Sequence, residues 1–240
     1  MKATVYIGYD RGESLAWDVC RDSLMEESTG DINVVRLDQG WLRRIGLYRR
    51  QSYTGEGGQR YDTIDCRPYS TEFSFTRFLV PSLQPEGLAV FVDSDFLWLN
   101  DIQEMLEKID PDAAVSVVKH DFHPEEGRKM RGQIQQDYPC KNWSSLMVWN
   151  CNHILTRMLS PYEVNRTPGA WLHGFKWMGA QDIGRIDESW NVLEGVTGPD
   201  VHPNALHYTR GTPDMPGHED SEMAEIWWNY ANGKRNARAA

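Results

Sequence analysis

Two aspartates, Asp93 and Asp95, directly follow the apolar segment 88–92, and a second apolar segment begins at Phe96. An apolar run of this length predicts a buried strand, and residues i and i+2 of an extended chain point to the same side. Because buried charge is costly unless it is paired or bound to a metal, we expect both carboxylates to bind one cation at the strand's carboxyl end. Carboxylate ligands favour Mg²⁺ or Mn²⁺. The alternative is a pair of solvated turn carboxylates.

Two kinds of phosphate chemistry use a pair of aspartates after a strand. In HAD-like phosphatases the first aspartate is phosphorylated; that motif follows the first strand and has a threonine two places after the second aspartate. Here Leu97 occupies that place, and the motif lies deep in the chain. In a nucleotide-sugar site the carboxylates instead hold a metal ion that binds a diphosphate. These residues alone leave both chemistries open.

Composition narrows the class of protein. The chain has 240 residues, a net charge of −10 and a pI near 5.2, which argues against a nucleic-acid or membrane-surface partner. No apolar run is long enough to predict a transmembrane segment, and residues 1–10 lead straight into a strand-like pattern instead of a signal peptide. The four cysteines lack C-x-x-C spacing and predict reduced thiols. We therefore expect a cytoplasmic protein.

Alternating strand and helix patterns predict an α/β fold with a largely parallel sheet. Beside the strand before Asp93, the patterns predict strands at 3–8, 32–37, 113–118, 145–149 and 205–209. They predict helices at 14–27, 71–79, 101–109, 152–159 and 219–230, with the second ending near Pro81. Residues 39–65 are polar and predict no element. The arginines clustered at 43–50 are typical of a solvated surface, and contact with an anionic acceptor is the alternative.

The segment FVDSDFLWLNDI (residues 91–102) resembles the D-x-D strand of GT-A glycosyltransferases, in particular the glycogenin-like family 8 enzymes. In that family a helix with an arginine and then P-x-L-x-P precede the motif, and here Arg77 precedes PSLQP (residues 81–85). The segment YIGYD (residues 6–10) is similar to the strand and nucleotide-contacting turn that open the family's chains. The resemblance covers 3–215 and is most specific at 71–102.

The C-terminal part of the resemblance is looser. HYTRGTP (residues 207–213) is similar to the family's H-F/Y-x-G-x-x-K-P-W segment, whose histidine is the third metal ligand. Gly211 comes one place late and no Lys-Pro-Trp follows, so the cation that meets the diphosphate is expected to be Arg210, since a guanidinium binds phosphate well. Residues 186–191 are similar to the family's closing L-x-x-x-W/Y-N segment.

The resemblance implies a GT-A, Rossmann-like nucleotide-diphospho-sugar transferase fold, with a mixed, mainly parallel sheet flanked by helices. It implies one domain over 1–240, made of a nucleotide-sugar half (1–119), an acceptor-side and metal-completing half (120–218), and a C-terminal helix and tail (219–240). The implied activity is metal-dependent, retaining transfer from a nucleotide sugar, UDP-glucose or UDP-galactose, to an unknown carbohydrate or other acceptor. A HAD-like phosphatase and a catalytically silent nucleotide-binding module are the alternatives.

The same reasoning assigns roles to individual residues. Carboxylate oxygens with one imidazole suit Mn²⁺ better than Mg²⁺, and the expected metal ligands are Asp93, Asp95 and His207. The expected catalytic residues are Asp93, Asp95, Arg77 and Arg210. The residues expected to contact the donor are Gly8, Tyr9, Asp10, Arg77, Ser94 and Gly211.

Overall fold

A computed structural model of the protein describes residues 3–121, 127–129, 133–135 and 140–233. Within these ranges the strands are β1 (Ala3–Tyr9), β2 (Ile32–Asp38), β3 (Ser52–Thr54), β4 (Arg60–Asp62), β5 (Pro68–Tyr69), β6 (Leu88–Val92), β7 (Phe96–Trp98), β8 (Val115–Val117), β9 (Gly127–Lys129), β10 (Gln133–Gln135), β11 (Leu146–Asn150), β12 (Ile183–Arg185), β13 (Val192–Leu193) and β14 (Ala205–His207).

The α-helices in the same ranges are α1 (Ser14–Glu27), α2 (Gln39–Arg44), α3 (Val80–Leu83), α4 (Ile102–Leu106), α5 (Ile154–Met158), α6 (Pro161–Val164), α7 (Gly169–His173) and α8 (Ala224–Ala231). Short 3₁₀ helices cover Arg11–Glu13, Glu56–Gly58, Thr76–Leu79, Trp143–Ser145, Ala180–Asp182 and Glu188–Asn191. None of the helices in the described ranges is both long and apolar enough to cross a membrane.

Six strands form the central sheet in the order β12-β8-β11-β6-β1-β2. Strand β1 runs parallel to both β2 and β6, and β12 runs parallel to β8, whereas β11 is antiparallel to its neighbours β6 and β8. The sheet is thus mixed and mainly parallel, as the sequence predicted. Because the parallel strands β1 and β6 share one carboxyl edge, the turns that follow them lie side by side.

Both faces of the central sheet are buried, which explains the continuous apolar run before the aspartates. In β6, Val90 and Val92 belong to the core on the α1 side, whereas Ala89 and Phe91 belong to the core on the opposite side. Successive side chains of a strand alternate between faces, so a strand covered on both sides needs apolar residues at every position. Strand β6 therefore delivers Asp93 to the end of a rigid, central element.

A second, three-stranded sheet, β13-β14-β7, continues from the aspartate turn. A third, β3-β4-β5, is an antiparallel meander within residues 52–69, a region where the sequence predicted almost no regular structure. The helix predicted at 71–79 was wrong in its bounds and type. The structure has a 3₁₀ helix at Thr76–Leu79, which passes directly into α3. Pro81 lies in the first turn of α3, where its missing N–H is not needed.

Candidate metal and ligand site

The turns after β1 and β6 open into a cavity of about 410 Å³. Its wall is formed by Asp10 and Glu13 after β1, by Asp93 and Asp95 after β6, and by His207 at the end of β14. The β3-β4-β5 meander, the residues before β11 and helix α7 supply the other walls. This is the sheet edge at which the sequence predicted a ligand.

Asp93, Asp95 and His207 converge in this cavity. Their potential ligand atoms lie within 4.8 Å of one another, and Asp95 and His207 are 6% and 2% exposed. The cause is the antiparallel pairing of β14 with β7, which sets His207 opposite Phe96. The backbone N–H of Tyr208 then donates to the Asp95 carbonyl at 2.9 Å. A histidine 112 residues away in sequence is thereby placed against the aspartate turn.

A buried hydrogen-bond chain fixes which nitrogen of His207 faces the carboxylates. The Ser145 hydroxyl donates to the Asn142 carbonyl and accepts from Asn191 Nδ2 at 2.9 Å. The Asn191 amide oxygen therefore faces His207 Nδ1, 2.9 Å away, and accepts its proton. This leaves His207 Nε2 facing Asp95 Oδ1 at 3.3 Å. When the imidazole is neutral, Nε2 of His207 and Oδ1 of Asp95 both carry a lone pair and no proton. A cation between the two atoms would bind both, and carboxylate oxygens with one imidazole nitrogen are ligands that suit a divalent ion.

Arg77 is buried beside this cluster. Its Nη1 lies 2.9 Å from Asp93 Oδ1 and donates to the Ser144 carbonyl at 2.7 Å. Its guanidinium stands 4.9 Å from the centre of the Phe91 ring. Arg77 thus holds Asp93 in place, and direct contact with a donor molecule stays a prediction.

Asp10 lines the cavity but is engaged by the protein. Its carboxylate accepts from the Gly12 and Glu72 backbone amides at 2.8 and 2.9 Å, and from Arg60 Nη1 at 2.7 Å. Burial acts to raise the pKa of Asp10, but the Arg60 contact and the two amides outweigh it, so the pKa is lowered and the group stays ionised. Recognition of a nucleotide by Asp10 remains a prediction.

Gly8 and Tyr9, expected to meet the donor, have clear packing roles. A Cβ on Gly8 would lie 2.5 Å from Cγ of Phe73, a cavity residue, so the glycine lets the Phe73 ring lie on β1. The Tyr9 ring is 4.6 Å from the Arg36 guanidinium and meets Trp17 edge-on. Their contact with a ligand is untested.

The other residues that were expected to contact the nucleotide-sugar donor, Ser94, Arg210 and Gly211, lie in three different environments. Ser94 is fully buried and its hydroxyl donates to Glu13 Oε2 at 3.1 Å. Arg210 is exposed, and its Nη1 lies 3.0 Å from where a Cβ on Gly195 would stand. A Cβ on Gly211 would meet the His218 ring at 2.5 Å, so this glycine has a packing role as well.

Sequence reasoning missed three residues near the cluster. Lys141 and His173 line the cavity, and His173 Nδ1 contacts the Ser144 hydroxyl at 2.8 Å. Burial, followed by the charges of Arg77 and Lys141, lowers the pKa of His173 well below its usual value. Asn191 was noted only as the last residue of the segment 186–191 that is similar to the family's closing motif, and no role was predicted for it. No pattern around these residues signals a role, because each acts through contacts distant in sequence.

Solved structures that superpose on this chain are glycosyltransferases, and they share its architecture. The glycosyltransferase GlyE of Streptococcus pneumoniae TIGR4 superposes with a TM-score of 0.58 at 15% identity over 96% of this chain and 60% of its own. The chain thus spans about three fifths of GlyE. The galactosyltransferase LgtC gives 0.54 at 9% identity, covering 98% of both chains. Mouse xyloside xylosyltransferase 1 gives 0.50 at 12% identity, over 86% of this chain and 97% of its own. At these identities the likeness establishes the GT-A fold.

One comparison rests on sequence. No family model matches the chain. Protein CDI of Arabidopsis thaliana is 42% identical over 231 residues, which is 94% of this chain and 84% of Protein CDI. That level of identity over nearly the whole chain establishes common descent and a common fold. The chain is a member of the Protein CDI family and has the GT-A glycosyltransferase fold.

Proposed function

We propose that this protein is a glycosyltransferase that takes a sugar from a nucleotide-sugar donor, with a divalent ion, Mn²⁺ or Mg²⁺, held by Asp93, Asp95 and His207. The observation that carries the proposal is the convergence of these three ligand groups in a cavity at the carboxyl edge of a GT-A sheet. Ligands of open α/β sheets bind at this edge.

The chain's own residues suit that chemistry. The ion's role, when bound, is to neutralise the charge that builds on the leaving diphosphate as the glycosidic bond breaks. Arg77 orients the Asp93 carboxylate, and Asn191 orients the His207 imidazole. Both supports are buried, so the ligand groups are set before any ligand arrives.

The charges that line the cavity make anion binding depend on a bound metal ion. Among the described residues, the carboxylates that line it are Asp10, Glu13, Asp65, Asp93 and Asp95, and the cations are Arg60, Arg67, Arg77 and Lys141. Five negative groups against four positive ones would repel an anion. One divalent ion reverses the balance, which links anion binding to metal binding.

The finer assignments come from the resemblance to glycogenin-like family 8, except the cytoplasmic location, which comes from composition and cysteine spacing. We propose a UDP-linked hexose, glucose or galactose, as the donor, a carbohydrate or other acceptor, retention of configuration, one domain over the whole chain and a cytoplasmic location. Gly8, Tyr9, Asp10, Ser94 and Gly211 keep their proposed roles at the donor.

A thermal-shift screen tests the proposal. Wild-type protein is heated with UDP- and GDP-sugars, in Mn²⁺ or in EDTA. A ligand at about 100 times its Kd stabilises the folded state by about 2.7 kcal/mol, so a donor should raise Tm in Mn²⁺ and not in EDTA. Asp95→Asn should lose the Mn²⁺-dependent shift, whereas Asp200→Asn, at an exposed position, should keep it. An Asp95→Asn shift equal to that of wild type would contradict the metal site.

A catalytically silent nucleotide-binding module is the second candidate, favoured by the exposed position of Arg210 beside Gly195. Turnover separates the two. A glycosyltransferase should slowly hydrolyse its donor in Mn²⁺ and release the nucleoside diphosphate, whereas a silent module should bind the donor and leave it intact. Hydrolysis of phosphomonoesters without a nucleotide would instead indicate the phosphatase.

A further inference from the structure

Lys141 is a buried cation in the wall of the cavity that holds the metal cluster. It is 8% exposed and lines the cavity together with Asp93, Asp95 and His207. Lysine is rarely buried to this degree, because its ammonium group is strongly hydrated. Its position in the wall places a cation in the same cavity as the metal cluster.

The backbone around Lys141 has an unusual conformation. Cys140 and Asn142 both have positive φ, 67° and 63°, and neither is a glycine. The Trp143 N–H donates to the Cys140 carbonyl at 3.1 Å, and Asn142 has the angles of the third position of a type II turn. Asparagine is common at that position of a type II turn, whereas a positive φ at a cysteine is uncommon and is imposed by the surrounding structure. The turn places Lys141 at its corner, in the wall of the cavity.

The 3₁₀ helix that directly follows the turn, Trp143–Ser145, is joined to the aspartate cluster by hydrogen bonds. The Ser145 carbonyl accepts from the Asp93 N–H at 2.9 Å. The Ser144 carbonyl accepts from Arg77, which pairs with Asp93. Lys141 therefore belongs to the same rigid unit as the metal ligands, and any ion and its ligand are held at a fixed position relative to it.

Three other cations line the cavity among the described residues, and they lie elsewhere in the fold: Arg60 in β4, Arg67 between β4 and β5, and Arg77 in the 3₁₀ helix at Thr76–Leu79. Arg67 is exposed. Arg210 is exposed beside Gly195 and does not belong to the described cavity wall.

We propose, resting on the proposed function, that Lys141 is the side chain that binds the donor's diphosphate beside the metal ion. An ammonium group offers three donors to phosphate oxygens, and such charge-assisted contacts are short and strong. The role expected of Arg210 in the C-terminal segment is thereby filled from a different part of the chain, the turn before β11.

Calorimetric titration of UDP in Mn²⁺ tests this inference. Lys141→Met, which keeps most of the side chain's length and removes its charge, should weaken UDP binding about tenfold or more, on the scale of one charge-assisted hydrogen bond. Lys176→Met, an exposed lysine, and Arg210→Met should change it less than threefold. Mn²⁺ binding without nucleotide, followed by electron paramagnetic resonance, should stay within twofold in Lys141→Met. Loss of both affinities would indicate a structural role and overturn the inference, as would unchanged UDP binding.

A chemical footprint on the wild type covers the case in which Lys141→Met does not fold. An amine-reactive acetylating reagent is applied with and without UDP and Mn²⁺, and modification is followed by mass spectrometry. The ligands should slow acetylation of Lys141 at least fivefold and leave Lys176 unchanged. Equal rates at Lys141, when UDP is shown to bind, would overturn the inference alone. If neither UDP nor GDP binds in Mn²⁺, the proposed function fails and the inference with it.

Discussion

Nδ1 of His207 lies 2.9 Å from the amide oxygen of Asn191, and both side chains are almost completely buried. Asn191 is itself oriented by the Ser145 hydroxyl, 2.9 Å from its Nδ2. The imidazole also stacks on the Phe96 ring, with 4.5 Å between centroids. The ring is therefore fixed in plane and in tautomer, with Nε2 directed at Asp95.

Replacing Asn191 tests this support. In Asn191→Leu the Nδ1 proton loses its acceptor, and the imidazole is no longer held with Nε2 toward the carboxylates. Loss of such a supporting contact lowers metal affinity about 10- to 100-fold, and we expect a fall of that size for Mn²⁺, measured by electron paramagnetic resonance. Asn150→Leu, whose amide contacts Pro111 at the other end of β11, should leave the affinity unchanged. Equal Mn²⁺ affinity in both variants would show that Asn191 does not support the site.

Gly8 provides a test of packing under the cavity. A methyl group in Gly8→Ala would enter the Phe73 ring, which lies 2.5 Å from the Cβ position. Overpacking of this kind costs about 1–3 kcal/mol, and urea unfolding should show that loss. Gly198→Ala, where nothing lies within 4 Å of the Cβ position, should be neutral. Adding Phe73→Leu should recover part of the lost stability, and an additive double variant would contradict the contact.

The sequence predicts the parts of this molecule that follow a local period. Helix α1 was predicted at 14–27 and observed at Ser14–Glu27, because its apolar stripe packs on the sheet. The sequence also indicated a site at the aspartate pair after β6, since a buried strand that ends in two carboxylates is chemically unusual. The family resemblance located His207, whose backbone pairs with β7 as a strand should.

What the sequence could not provide depends on contacts between distant segments. The arginines at 43–50 were expected on a solvated surface, yet Arg50 is buried against Asp62. The short strands of the meander carry too few residues for a period to be recognised. Lys141 lies in a turn whose conformation comes from its neighbours in space. No local pattern reports any of these arrangements.

Removing one partner of the Arg50–Asp62 ion pair should strongly destabilise the fold. Both side chains are 1% exposed, and the pair is bidentate, at 2.6 and 2.9 Å. Arg50 also donates to the carbonyls of Val164 and Thr167, so it ties the meander to α6. Removing one partner of a buried pair costs about 3–5 kcal/mol, and Arg50→Met should lose that much free energy of unfolding in urea.

Two variants make the Arg50 test specific. Arg49→Met, at the exposed neighbouring position, should change stability by less than about 0.5 kcal/mol. The double variant Arg50→Met with Asp62→Leu should be more stable than Arg50→Met alone, because it removes the buried unpaired carboxylate. A double variant less stable than the single one would show that the uncompensated charge is not the cause.

Asp10 should make stability depend on pH in a predictable direction. Burial raises its pKa, but the contacts from Arg60 and two backbone amides prevail, so the folded pKa lies below the unfolded value of about 3.9. A carboxyl group with a lowered folded pKa adds stability above the unfolded pKa and loses it as pH falls through the folded value. Asp10→Asn should therefore be less stable than wild type by about 1–3 kcal/mol at pH 7, the scale of hydrogen bonds to a charged group.

The difference in free energy of unfolding between wild type and Asp10→Asn should be nearly complete at pH 5 and shrink as the pH falls through about 4, because there the unfolded chain binds the proton that the folded carboxylate resists. Urea unfolding at pH 7, 5 and 3.5 measures it. Asp200→Asn, at an exposed position, should track wild type throughout. A gap that stays constant down to pH 3.5 would mean that the Asp10 charge does not stabilise the fold.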